Sequence, residues 1–156
     1  MLSVQIARQI RELHFGENWT DVSLKALVED LNWKEANIKV YNFNTIASLV
    51  FHINYYINAV LKVLQNKPLD ARDKYSFDLP PVNSKKDWDL LLAKTWEEAE
   101  DFAKLIEKLS DQELWTIMLD EKYGTYYQNF QGIIEHSHYH MGQIALIKKI
   151  IREKDH

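Results

Sequence analysis

Apolar residues recur along this chain at intervals of three, four and seven, so the pattern predicts helices throughout and requires no strand. A first helix carries Val4, Ala7, Ile10 and Leu13 on its buried side, with Ser3 as its cap and Gly16 at its end. A short second helix, capped by Thr20 or Asp21, turns Leu24, Leu27, Val28 and Leu31 inward, and Asn32-Trp33 opens a further turn. Residues 39–44 read as a connection. The next helix runs from about Thr45 to Gln65, capped by Asn44 or Thr45, with Ile46, Leu49, Ile53, Tyr56, Val60 and Leu64 as its inward stripe. Asn66 and Pro68 end it.

Residues 66–86 are the one long stretch without helical period, and Pro80-Pro81 and Asn83-Ser84 mark irregular chain there. A loop of that length inside a compact domain is usually a crossover or a site-covering segment, joining helices that need not be antiparallel neighbours. Ser84 followed by Asp87 resembles a capping box and opens a helix to about Leu109. Its inward side is Trp88, Leu92, Thr95, Ala99, Phe102, Ile106 and Leu109, while Glu97, Glu98, Glu100 and Asp101 read as a solvated face. Ser110 and Glu113 cap one short turn near Trp115, and 120–125 is a turn. The last helix runs from about Tyr126 to Arg152, with Ile133, His140, Ile144, Ile147 and Ile151 in its buried stripe. Four long helices with two short ones predict an all-α four-helix bundle, one domain over residues 1–156, with a long crossover between the second and third long helices.

Composition narrows the function. A chain of 156 residues can bury a core, and four Gly and three Pro favour long helices over a turn-rich β fold. Net charge is −4 and no Lys/Arg cluster forms a nucleic-acid face. No run of eighteen apolar residues and no cleavable leader is seen, so a cytoplasmic protein without a membrane partner is expected. The chain has no Cys. Any metal must then be held by His and carboxylates, and any thiol chemistry must use a thiol from outside.

Candidate chemistry gathers on the last helix. His136 and His140 interrupt its apolar stripe one turn apart, where Cβ atoms lie about 5–6 Å from each other and two imidazoles can chelate one ion. His138 lies roughly 200° round from His136 and faces elsewhere. His52 sits beside Leu49 and Tyr56 on the inward side of its helix. His14 reads as a surface residue favoured by the helix dipole. Gln143 can hydrogen-bond a ligand His or a substrate, or simply a backbone group. Tyr56 and Tyr139 are candidates for the pocket border beside a plainer core or rim role. Gly142 reads as a site of close helix packing. A di-iron bundle is rejected: Glu135 and His138 form one Glu-x-x-His, and the second instance, Glu153 to His156, sits at the chain end.

With these residues placed, the sequence resembles the DinB/YfiT-like family of metalloenzymes. The carrying stretches are Thr45-Ile-Ala-Ser-Leu-Val-Phe-His52 and His136-Ser-His-Tyr-His140-Met-Gly-Gln143-Ile144, with a weaker match at Trp19, Ser23-Leu24 and Trp88. The resemblance implies a four-helix bundle of unusual connection order and a three-His metal site on His52, His136 and His140. It also implies kinship with transferases and isomerases that use a low-molecular-weight thiol. Many relatives carry an acidic residue where this chain has Ser137, which removes a carboxylate from the site's surroundings.

Three neutral imidazoles leave a fourth position for water or substrate, the pattern of a catalytic zinc-type site, and zinc, nickel and iron(II) all accept such ligands. The leading expectation is a metal-dependent transferase acting on a small molecule with an external thiol. The alternatives are a metal-dependent hydrolase and a non-catalytic, stress-related protein whose ion only clamps two helices. The aromatic-rich region from Trp19 to Trp33 leaves apolar surface to cover, so a homodimer is the expected assembly.

Overall fold

The computed structural model describes residues 1–153. Six helices appear: α1 (Leu2–Phe15), α2 (Leu24–Val28), α3 (Trp33–Ala36), α4 (Ile46–Leu64), α5 (Lys85–Glu107) and α6 (Tyr126–Glu153). Among the described residues there is no strand, only one isolated bridge between Ile117 and Thr125. The bundle is all-α, as expected.

The four long helices form a ring in which α1 packs on α5, α5 on α4, α4 on α6, and α6 back on α1. Contacts fix their directions. Leu2 donates to Asp111 just beyond α5, while Phe15 meets Trp96 at 6.0 Å, so α1 and α5 are antiparallel. Phe51 and Tyr55 share a cleft with Leu90 and Leu91, and Leu61 and Gln65 share one with Glu97 and Asp101, so α4 and α5 run parallel. Leu49 lies beside Ile147 and Val60 beside Ile133, so α4 and α6 are antiparallel. Helices α4 and α5 are thus neighbours pointing the same way. The chain leaving α4 must return the length of the bundle before α5 begins. At 1.5 Å per residue that is about 30 Å, and the crossover between them supplies it.

Sequence signals and structure agree at most helix starts. Thr45 Oγ1 accepts from Ser48 N at 3.1 Å. Ser84 Oγ accepts from Asp87 N at 3.1 Å while Asp87 accepts from Asn83 N and Ser84 Oγ. Ser110 and Glu113 close their predicted capping box.

Several expectations are corrected. Ser3 is not a cap: α1 already includes it, its side chain is buried, and Asp111 serves the free N–H groups of Leu2 and Ser3. The buried stripe of α1 is Ser3, Ile6, Ala7, Ile10, Leu13 and His14, which turns Val4 outward. His14 is therefore fully buried rather than on the surface, its Nδ1 bonded to the Ile10 carbonyl at 2.7 Å. Ser23, not Thr20 or Asp21, caps α2 by accepting from Ala26 N, because Thr20 is engaged with Asn18. The acidic run on α5 is only partly solvated. Glu98 accepts from Asn54 at 2.6 Å and Asn58 at 2.8 Å on α4, and Glu100 joins Glu107 in clamping Arg11 on α1. Trp33 packs against the core, so the exposed apolar surface of that region is Trp19, fully exposed, with Val22.

Helix α4 is the most apolar of the four long helices. By length and hydropathy alone it passes for a membrane span, but 67% of its apolar window is buried among the other helices.

Candidate metal centre

Helix α4 delivers His52 and helix α6 delivers His136 and His140 to one point. Thr125 starts α6 in a capping box, with Gln128 N donating to Thr125 Oγ1 at 3.2 Å and Thr125 N donating to Gln128 Oε1 at 2.9 Å. One full turn separates His136 from His140, and both rings face α4. Nε2 of His136 lies 3.0 Å from Nε2 of His52 and 3.1 Å from Nε2 of His140, and the three ligand nitrogens all fall within 4.8 Å of one another. A tetrahedral ion with bonds of ~2.0–2.1 Å spaces its nitrogens roughly 3.3 Å apart. The two edges that meet at His136 are within a few tenths of an ångström of that length.

The outer nitrogens determine what the inner ones present. His52 Nδ1 donates to the Ser76 carbonyl at 3.1 Å, and His140 Nδ1 donates to Gln143 Oε1 at 2.7 Å. A neutral imidazole has one N–H, so Nε2 of both rings offers a lone pair inward. A proton on His136 Nε2 satisfies one of them and leaves the other facing an acceptor at close range. A cation satisfies all three together, so the donor set fits a divalent ion and the outer partners hold the rings ready for it.

Electrostatics agree. Burial lowers the His52 pKa, offset in part by its bond to Ser76, with His140 lowering it further. Burial and the neighbouring His140 and His52 push His136 down to about 4. Both rings are therefore neutral at physiological pH, the form that ligates.

The crossover covers the cluster. Phe77 stacks on the His52 ring, centroids 3.8 Å apart and planes within 7°. Tyr56 presents its ring to His52 at 5.3 Å and to His136 at 4.9 Å, and its hydroxyl donates to Asp73 at 3.1 Å. Tyr55 OH bonds both the N–H and the carbonyl of Arg72, pinning the start of this segment to α4. Ser76, Phe77 and Asp73 were not singled out from sequence. Ser76 acts through its carbonyl, which any residue would supply, and the only advance signal was the length of the crossover itself.

The other sequence candidates fall in different places. Gln143 joins the cluster through His140. Tyr139 is largely exposed, its ring 5.0 Å from that of His140. His138 stands outside the cluster, half-buried, as expected. Gly142 is not a packing site: a Cβ there would meet no atom within 4 Å. Ser137 is wholly buried and its hydroxyl has no partner among the described residues. Glu135 faces solvent rather than the bundle interior, which removes the di-iron reading; His156 of the second Glu-x-x-His lies outside the described residues.

The model of the DinB superfamily matches residues 18–144, a span that includes His52, His136 and His140. No curated protein and no solved structure matches the chain.

Proposed function

The chain belongs to the DinB superfamily, and from that premise and the histidine cluster we propose that it is a metal-dependent enzyme, a transferase that joins an external low-molecular-weight thiol to a small electrophile. The observation that carries this reading is the convergence of three Nε2 atoms whose outer nitrogens are already committed. A structural ion normally has four protein ligands, whereas this cluster supplies three and leaves a position for an exchangeable molecule. A bound divalent ion supplies Lewis acidity, which lowers the pKa of a thiol or water that reaches it.

The chain's own residues orient and shield. Ser76 and Gln143 hold two rings in the tautomer that faces inward. Phe77 and Tyr56 keep bulk water from the His52 side. Burial raises the Tyr56 pKa, so its hydroxyl keeps its proton and its bond to Asp73. With no Cys in the sequence, the nucleophilic sulfur comes from the co-substrate. In the reaction the thiol proton passes to solvent, sulfur forms a bond to the electrophilic carbon, and the leaving group departs with the electron pair of the bond it breaks. A hydrolase would use water at the same centre.

Elemental analysis of the purified protein is expected to find about one zinc, nickel or iron per chain. His140→Ala should lose both the ion and thiol-transfer activity while remaining folded. Full metal occupancy in that variant would refute the three-His centre. Turnover of ester or amide substrates without any thiol would favour the hydrolase instead.

A further inference from the structure

The outer side of α6 faces solvent. Glu135, Tyr139, Gly142, Leu146 and Lys149 are all exposed there, and at about 100° per residue they fall within an arc of roughly 80°. Tyr139 is 67% and Leu146 64% exposed, so two large apolar side chains share one stripe. Between them a Cβ at Gly142 would meet no atom within 4 Å. Glu135 and Lys149 close the stripe at its two ends, and neither side chain has a partner among the described residues.

This stripe is its own complement. Glu135 and Lys149 each stand seven residues from Gly142, with Tyr139 three before it and Leu146 four after. We propose that a second copy of this chain docks antiparallel on the stripe, about a twofold axis that passes beside Gly142. In such an isologous pair a residue before the axis meets its counterpart beyond the axis on the other copy. Glu135 then faces the partner's Lys149 and Tyr139 faces the partner's Leu146, and each contact is made twice. A parallel pair would set Glu135 against the partner's Glu135 and Lys149 against the partner's Lys149, so charge selects the antiparallel course.

The edges of the stripe agree with its ends. Tyr139 stands at the edge nearer Gln143 and Ile147, and a twofold axis across antiparallel helices keeps like edges together. The partner's Tyr139 therefore comes down beside Leu146, at the cleft of about 530 Å³ that Leu146 shares with Phe43, Leu49 and Ile147. Asn42, Asn44 and Gln143 bring amides to the same cleft. A ring that ends in a hydroxyl suits that mixed lining. Phe43, 48% exposed, is covered in the same step. Tyr139 and Leu146 hold the two helix axes about 8–10 Å apart, which leaves room for a methyl at Gly142. The interface thus lies on α6 rather than on the Trp19 region, and it goes beyond the transferase reading without depending on the ion.

Sedimentation velocity on the full chain at low ionic strength tests this. Wild type at about 100 µM is expected to sediment as a dimer, at twice the 18.5 kDa of one chain. Glu135→Lys and Lys149→Glu should each weaken association at least about tenfold, because the twofold axis repeats every repulsion. The double variant Glu135→Lys with Lys149→Glu should restore the dimer, an outcome that damage to the fold would not produce. Tyr139→Ser should weaken association as the single charge reversals do, and Trp19→Ser should leave it intact. These positions are all exposed, so the bundle is retained. A monomeric wild type at that concentration overturns the proposal. So do single reversals without effect, a double variant that stays as weak as either single one, or a dimer that Trp19→Ser dissolves.

Discussion

Gln143 offers the sharpest single perturbation of the centre. It stands three residues beyond His140 on α6, half-buried, and its Oε1 accepts the 2.7 Å bond from His140 Nδ1. Gln143→Leu keeps the volume and the helix propensity and removes the acceptor alone. The His140 ring then loses the partner that holds its proton on Nδ1. The tautomer with the proton on Nε2, which cannot ligate, becomes competitive, and the ring gains freedom to turn. Loss of such an outer partner typically lowers metal affinity 10–100-fold, about 1.4–2.8 kcal/mol. The lower half of that range is expected here, since His52 retains its bond to Ser76. Competition of the protein with a chromophoric chelator for zinc measures the change. Denaturant unfolding of the metal-free variant should stay within about 0.5 kcal/mol of wild type, because a half-exposed side chain holds little of the fold. Gln143→Glu supplies an acceptor with negative charge and should bind zinc at least as tightly as wild type. If the Leu variant binds zinc within twofold of wild type, the outer bond does not orient His140 and the argument for a preset centre fails.

Two further outcomes follow from residues away from the cluster. His14 is fully buried and desolvation pushes its pKa from 6.5 to about 4. The unfolded chain binds a proton on His14 below about 6.5, while the folded protein refuses it until about 4, so stability falls across that window and is level above it. The loss amounts to roughly 3 kcal/mol. Denaturant melts at several pH values should show wild type losing that much more than His14→Leu on acidification, and parallel pH curves would remove the assignment. Gly142→Ala should stabilise the protein by about 0.5–1 kcal/mol, seen as a rise of about 1–4 °C in Tm, since the added Cβ meets open space in the middle of α6. A drop in Tm would mean that something covers this face in solution too closely to admit a methyl.

What the sequence disclosed and what it concealed follow one physical division. Within a helix, spacing fixes relative placement, so His136 and His140 were legible as a pair and Thr45, Ser84 and Ser110 as caps. The inward side of α4 was equally legible, because an apolar stripe brackets His52. What spacing cannot supply is the phase of one helix against its neighbours. On α1 the stripe through Val4, Ala7 and Ile10 and the stripe through Ser3, Ile6, Ala7 and Ile10 differ by a rotation of about 50°. Packing against α5 selects the second, which exposes Val4 and buries Ser3 and His14. The acidic face of α5 failed for the same reason: Glu98 and Glu100 look solvated until Asn54 and Arg11 arrive from other helices.

The crossover joins the two halves of that division. Its length was visible as a break in helical period, and its necessity comes from the parallel course of α4 and α5. A connection compelled to travel back along the bundle must pass over the seam where His52 lies. Ser76 and Phe77 meet that ring because of the route, one through its backbone carbonyl and the other by stacking. Neither contact requires a residue pattern that could be read in advance. The feature that makes the connection order unusual is thus the same one that closes the centre. Shortening the crossover would remove the outer partner of His52 along with the cover over it.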